Sequence, residues 1–262
     1  MYKKELQIAK SAAKQAGLML KKEFLNKKGN IIKFKNNSER VTLYDKKAEK
    51  IILAILNKNF PNYQVLSEES GLNNNPSELC WIVDPLDGTT NFTINHPLFA
   101  VAIALMKKNE VVLGVIYNPL LDELYWASKN NGAYKNGHKL KMSGKKDLSK
   151  SIITYCHGVG EKNTKKAYKL YQRFHDLSHH CRHFGCTSLE LAMVAAGNTE
   201  AHIVSGARLW DIAAGVIIVK EAGGALTDWQ NKVWDKKSNT ILASNKKIHS
   251  YCLKELRKLK LA

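Results

Sequence analysis

The sequence predicts an α+β half followed by an α/β half, packed as one unit with a boundary near residue 145. Three observations predict it: two amphipathic helices open the chain, an antiparallel meander follows, and strands alternate with helices after residue 145.

Leu6, Ala9, Ala13, Ala16, Leu20 and Phe24 recur at three- and four-residue steps between lysines, the pattern of a helix laid on a core. Gly29-Asn30 is its expected stop, and Ile31 to Phe34 reads as a short strand. Asp45 opens a second helix through Ala48, Ile51, Ile52, Ile55 and Leu56, which Pro61 ends. Tyr63 to Leu66 and Trp81 to Val83 are short buried-type strands, each ending directly in acidic residues. From Leu98 to Leu140, apolar runs to Met106 and from Val111 to Tyr117, then Tyr125-Trp126, are separated by Lys108-Asn109, Asn118-Pro119, Asn131-Gly132 and Asn136-Gly137. Such punctuation describes hairpins in series. Beyond residue 145 the expected order is a strand at Ile152 to Tyr155, a polar helix from Asn163 to Leu177 and an Ala-rich helix around Leu189 to Ala196. A strand at Ala201 to Val204, a helix from Trp210 to Glu221 stopped by Gly223-Gly224, a strand near Ile241 and a last helix from Asn245 to Leu259 complete it.

Composition removes several function classes. With 44% hydrophobic and 24% charged residues over 262 positions, the chain is too apolar for disorder. Its longest uncharged apolar run, Pro97 to Met106, is half of the roughly 20 residues a membrane-spanning helix needs. No secretory leader is visible, and the five cysteines are scattered without a CxxC pair, so a reduced, cytoplasmic protein is expected. The net charge is +18, and the first 50 residues hold 14 Lys and Arg against 5 acids. That invites a nucleic-acid reading. Only five basic residues are Arg, whereas base readout and phosphate clamps favour Arg, so a lysine-rich solvated surface is the plainer reading.

Against this basic background stand three acidic strings: Ser67-Glu68-Glu69-Ser70, the run Trp81 to Phe92 that reads WIVDPLDGTTNF, and Trp210-Asp211. Adjacent carboxylates beside apolar runs repel one another and lose solvation, so they take up protons or bind cations. Without nearby His or Cys they form an all-oxygen set suited to Mg²⁺, Mn²⁺ or Ca²⁺. Pro85 forbids helical continuation, so Asp84, Asp87 and the Leu86 carbonyl can turn inward together. Gly88-Thr89-Thr90 then offers small residues whose amides can face an anion. Metal ligands and an anion cradle within six residues point to metal-assisted phosphoryl transfer to water. Each acidic pair alone is also what a helix cap or a solvated loop shows; the string from Asp84 to Phe92 is far more specific.

These segments resemble the inositol monophosphatase family of Mg²⁺-dependent, lithium-sensitive sugar phosphatases, and the likeness covers nearly the whole chain. It implies a layered α-β-α-β-α sandwich and a homodimer. It also implies two or three Mg²⁺ ions, with Mn²⁺ as an alternative, held by Glu68, Asp84, Asp87, Asp211 and the Leu86 carbonyl, with Glu69 in support. Thr89, oriented by Asp45, would position and deprotonate the attacking water together with Glu68, and the amides of Gly88 and Thr89 would hold the phosphate. Gly185, Cys186 and Thr187 match the substrate loop, and Arg208 is a candidate contact for a second anionic group. The substrate expected is a small phosphorylated metabolite: inositol-1-phosphate or a related sugar phosphate, with fructose-1,6-bisphosphate as the runner-up.

The chain also departs from the family. Glu39-Arg40-Val41-Thr42 replaces the usual Asp-x-Val-Thr, and Val204 stands where inositol-specific members carry a glutamate for a ring hydroxyl. A valine cannot accept that hydrogen bond, which weakens the expectation of inositol specificity. The group His175, His179, His180, Cys181 and His183 matches no zinc spacing and reads as a helix end with surface histidines. Cys186 reads as pocket wall rather than nucleophile, and Trp81 and Trp210 as core packing. The rival of another class is a basic nucleic-acid-binding regulator that has lost catalysis.

Overall fold

The computed structural model describes residues 2–26, 32–35, 39–158 and 160–260, with the backbone alone for 32–35 and 39–42. The chain opens with α1 (Lys3–Leu25), an antiparallel pair β1 (Ile32–Lys35) and β2 (Glu39–Thr42), and α2 (Leu43–Asn59). Next come β3 (Gln64–Ser67), β4 (Gly71–Leu72), β5 (Leu79–Asp87), α3 (Thr89–Thr93), β6 (Ala100–Lys107), β7 (Glu110–Asn118), β8 (Glu123–Ser128), β9 (Ala133–Lys135) and β10 (His138–Lys139). Their strands form one eight-stranded sheet in the order β10-β9-β8-β7-β6-β5-β3-β4, in which only β3 and β5 run parallel. The remainder comprises β11 (Ile152–His157), α4 (Glu161–Leu177), β12 (His180–Arg182), α5 (Thr187–Ala195), β13 (Ala201–Ser205), α6 (Leu209–Glu221), β14 (Ala225–Thr227), β15 (Thr240–Ser244) and α7 (His249–Lys258). Here the sheet order is β12-β11-β13-β15-β14, parallel across β12-β11-β13 and antiparallel beyond.

Side-chain alternation decides how these elements stack. Along β6, Val101, Ile103 and Leu105 enter the core under α1 and α2, while Ala100, Ala102, Ala104 and Met106 enter the core around α5 and α6. The mostly small residues on the second face let α6 settle close to the sheet; a Cβ at Gly114 would stand 2.5 Å from the Ala214 carbonyl oxygen. α5 and α6 therefore lie between the two sheets, and α4 and α7 cover the outer face of the smaller one. This is the α-β-α-β-α sandwich that the resemblance implied. The middle core draws on residues from both sides of residue 145, such as Ile116 and Ile241.

Several elements differ from their sequence reading. α1 ends at Leu25; its expected stop, Gly29-Asn30, and Ile31 of the expected strand lie outside the described residues. The strand from Trp81 does not stop at Val83 but runs to Asp87, its register with β6 slipping between Asp84 and Asp87. Such a bulge turns side chains out of simple alternation. The last helix begins at His249 rather than Asn245, because the Asn245 side chain accepts the amides of Lys247 and Ile248 in a turn. The short strands β4, β12 and β14 carry no periodicity that would announce them. Two turn readings hold at the backbone: Asn136 and Gly137 join β9 to β10 with φ of 48° and 85°, and Gly223 ends α6 at 92°. Among the described residues no helix is long and apolar enough to cross a membrane.

Candidate active site

A cavity of about 230 Å³ opens where the end of β5, the start of α3, the end of β11 and the first turns of α5 and α6 meet. It gathers Glu68, Asp84, Leu86, Asp87, Gly88, Thr89, Gly185, Thr187, Arg208 and Asp211, all expected site residues, from positions up to 143 residues apart in the chain.

Glu68 follows β3, and its amide donates to the Val83 carbonyl of neighbouring β5 at 3.1 Å. The bulge in β5 brings Asp84 and Asp87 towards the same space. Asp84 Oδ1 accepts the Leu86 amide at 3.0 Å, Asp87 Oδ2 the Ser188 amide at 2.6 Å, and Asp211 Oδ2 the Arg208 amide at 3.0 Å. Each aspartate is thus fixed by a backbone donor, which sets its direction around the cavity. Burial pushes the Asp84 carboxyl well above the usual range, and the charges of Glu68, Asp87 and Asp211 push it further. Burial also raises Asp87, against the opposing hydrogen bonds of Ser188, Cys186 and Thr187.

Among the described residues no three or more His, Cys, Asp or Glu side chains stand close enough together to hold a metal ion as they are placed. The fit is nevertheless good in chemistry: four carboxylates share one small cavity, their mutual repulsion is visible at Asp84, and all donors are oxygen. A hard divalent cation answers that excess of negative charge. The histidines of the 175–183 segment make ring contacts. His175 stacks on Tyr171, His179 lies against His180, and His183 stacks on Tyr155 and His157.

Gly88 takes φ of 84° as α3 begins, and a Cβ there would meet the Leu98 carbonyl oxygen at 2.9 Å and Cys186 Cβ at 3.3 Å. Thr89 Oγ1 lies 3.0 Å from Asp45 Oδ1 and 2.9 Å from the Leu86 carbonyl oxygen. Asp45 is buried and sits behind Thr89 rather than on the cavity wall. Glu69 also lies off the wall, its amide on Glu49 Oε1 at 3.2 Å.

Cys186 corrects its expected place in the pocket wall. It is fully buried, and its Sγ turns to Asp87 Oδ2 at 3.2 Å, because it immediately precedes α5 behind that aspartate. Trp81 is buried against Phe60 and Tyr63, as expected. Val204 is buried in the apolar core and does not reach the cavity, so β13 supplies no hydroxyl acceptor there. Missed by sequence reasoning were Cys156, His157 and Gly158 on the wall, Asn91, Glu49 and Glu190. Asn91 Nδ2 donates to the Leu98 and Phe184 carbonyls, both at 2.7 Å, tying α3 to the 184–187 loop. Glu190 is buried beneath that loop and accepts the Phe184 amide at 3.2 Å. Only the Asn91 position, inside the DGTTNF string, carried a local signal.

The sequence pattern of the inositol monophosphatase family matches residues 1–261. The fructose-1,6-bisphosphatase/inositol-1-monophosphatase of Aquifex aeolicus is 34% identical over 98% of this chain and 96% of its own. Nus factor SuhB of Escherichia coli K12 is 34% identical over 96% and 95%. The crystal structure of extragenic suppressor protein suhB from Bartonella henselae superposes with a TM-score of 0.91 at 34% identity, covering 96% of this chain and 98% of that one. The chain belongs to the inositol monophosphatase family and is a phosphatase. The family is generally metal-dependent and acts on small phosphorylated substrates.

Proposed function

We propose that the protein is a Mg²⁺-dependent phosphomonoesterase hydrolysing inositol-1-phosphate or a related sugar phosphate by attack of an activated water. The observation that carries this reading is the meeting of four carboxylates with the Asp45–Thr89 pair around one cavity. Glu68, Asp84, Asp87, Asp211 and the Leu86 carbonyl would hold the cations, two or three Mg²⁺ with Mn²⁺ as substitute. Bound there, they would neutralise phosphate charge and acidify water.

The chain's own residues do the rest. Thr89 has one hydroxyl proton and two acceptors within reach. With the Leu86 carbonyl engaged, Asp45 is the remaining acceptor. The Thr89 oxygen lone pairs then face the attacking water, and the Glu68 carboxylate takes its proton. The amides of Gly88 and Thr89 hold the phosphate, and Glu69 supports the loop. Gly185, Thr187 and Arg208 contact the rest of the substrate. A homodimer is the assembly we infer from the family resemblance; sedimentation tests it.

Fructose-1,6-bisphosphate is the second substrate reading, favoured by Arg208 on the cavity wall and by the absence of any carboxylate at Val204. The name of the Aquifex aeolicus relative includes that activity. Nucleic-acid binding beside catalysis draws on the +18 charge and on the Nus factor name of the Escherichia coli relative. A steep fall of RNA affinity with salt would support it. The deciding experiment is phosphate release from inositol-1-phosphate, fructose-1,6-bisphosphate, histidinol phosphate, adenosine-3′,5′-bisphosphate and NADP, with and without Mg²⁺. Release that needs Mg²⁺ and ranks a sugar phosphate first supports the reading; none from any compound refutes it.

A further inference from the structure

α2 carries two buried carboxylates one turn apart: Asp45 reaches Thr89 on the cavity wall, and Glu49 reaches the residues on either side of the wall residue Glu68. Asp45 meets the Thr89 hydroxyl at 3.0 Å. Glu49 meets the loop that carries Glu68. Its Oε1 accepts the Ser67 hydroxyl, the Glu69 amide at 3.2 Å, the Ser70 amide at 3.1 Å and the Ser70 hydroxyl at 3.2 Å. The residues on both sides of Glu68 are therefore tied to one oxygen atom, while the Glu68 amide itself is held by the Val83 carbonyl.

Four donors on a single oxygen exceed what a neutral acceptor with two lone pairs satisfies, and a full negative charge roughly doubles the strength of each bond. The Glu69 and Ser70 amides can only donate, and the Ser67 and Ser70 hydroxyls are free to donate as well, so a carboxylate oxygen is the acceptor that closes the turn. Without it the two amides and two hydroxyls would lose their partner, and the turn would lose its reason to point Glu68 at the cavity. α2 is itself locked under β5 by Ile52 and Leu56, so it is a rigid reference for both contacts.

We propose that Glu49 is a positioning residue which, with Asp45 one turn earlier on α2, aligns Glu68 with Thr89, the two side chains that hold the attacking water. This rests on the metal-phosphatase reading above, and it adds a residue that touches neither substrate nor cation. The alignment is made by one helix, so the spacing of the two water-holding groups is set by the i and i+4 positions of α2 rather than by their own loops.

The test uses Glu49→Leu, which fills similar volume without an acceptor, and Glu49→Gln, which keeps an oxygen but no charge. His249→Asn, buried under the opposite face of the smaller sheet, is the control for lost stability alone. Each is compared with the whole wild-type chain for thermal unfolding, kcat and KM with inositol-1-phosphate, and Mn²⁺ binding measured by electron paramagnetic resonance without substrate. Glu49→Leu is expected to lower kcat about 10–100-fold with KM within about threefold, and to weaken Mn²⁺ binding about tenfold, the size of effect seen when support of a metal ligand is lost. Glu49→Gln should fall between it and wild type, and His249→Asn should lose stability alone. A folded Glu49→Leu with wild-type kcat and Mn²⁺ affinity overturns the proposal, as does a loss no larger than that of His249→Asn. Should Glu49→Leu not fold, Glu49→Gln decides: a kcat at least about threefold down at unchanged KM supports it, and a wild-type kcat overturns it. A wild-type protein that neither binds Mn²⁺ nor releases phosphate sinks the metal reading instead.

Discussion

The hydroxyl of Thr89 and the carboxylate of Asp45 lie 3.0 Å apart across 44 residues of chain, one at the start of α3 and the other in the first turn of α2. The pair is what a water-positioning hydroxyl needs: an acceptor behind it that leaves its lone pairs forward. Thr89→Ala is expected to lower kcat about 10²–10³-fold with little change in KM, whereas Thr89→Ser keeps most activity. Steady-state phosphate release checks both. A KM change alone would place Thr89 in substrate binding.

Arg208 separates the two substrate readings. Arg208 lines the cavity with its guanidinium 5.5 Å from the centre of the Trp210 ring, and its amide holds Asp211, so Arg208→Ala removes the guanidinium and leaves that amide in place. Fructose-1,6-bisphosphate hydrolysis should fall about tenfold more than inositol-1-phosphate hydrolysis, the worth of one charge-assisted contact to a second phosphate. Equal losses would remove Arg208 from substrate discrimination.

Stability should depend on pH through two buried histidines. Burial lowers His249 to about 4 and His202 to about 3, from an ordinary 6.5. The unfolded chain protonates both below 6.5 while the folded chain does not. Stability is therefore fully present above about pH 6.5 and is lost as pH falls towards 4, at about 1.4 kcal/mol per unit for each group. Both His249 nitrogens face hydroxyls, of Thr227 at 3.1 Å and Ser244 at 2.7 Å. Urea unfolding between pH 7 and 4.5 should show this slope, reduced in His249→Asn. A slope equal to wild type in that variant would remove His249 from the account.

Gly114→Ala should wedge α6 from the large sheet, because the new Cβ would stand 2.5 Å from the Ala214 carbonyl oxygen and 2.6 Å from Ile217 Cγ2. A loss of about 1–3 kcal/mol is expected, at about 2–4 °C of melting temperature per kcal/mol. Calorimetry reads it directly; an unchanged melting temperature would mean that α6 has room to move.

What was legible in the sequence was local. The WIVDPLDGTTNF string announced the metal-ligand candidates and the small residues at Gly88 and Thr89 within twelve residues, though not the continuation of β5 past Pro85 through a bulge, and the Asn-Gly pair at Asn136 marked its hairpin. The burial of Cys186 was not legible, because it depends on α5 closing over Asp87 from 99 residues away. Glu49 and Glu190 carry no motif or spacing that sets them apart in the sequence. Their partners, at Ser67 and Phe184, are set by how the helices dock rather than by any spacing. β12 and β14 are edge strands of three residues, too short for a period to show.

The central claim is that the carboxylate cavity hydrolyses phosphomonoesters through divalent cations held by Asp84 and its neighbours. Phosphate release from inositol-1-phosphate, followed against Mg²⁺ concentration for the wild type and for Asp84→Asn, tests it most directly. The account predicts saturable Mg²⁺ dependence in the wild type and a loss of at least about 10³-fold in the variant at every Mg²⁺ concentration. Release without divalent metal, or an Asp84→Asn enzyme as active as the wild type, would contradict it.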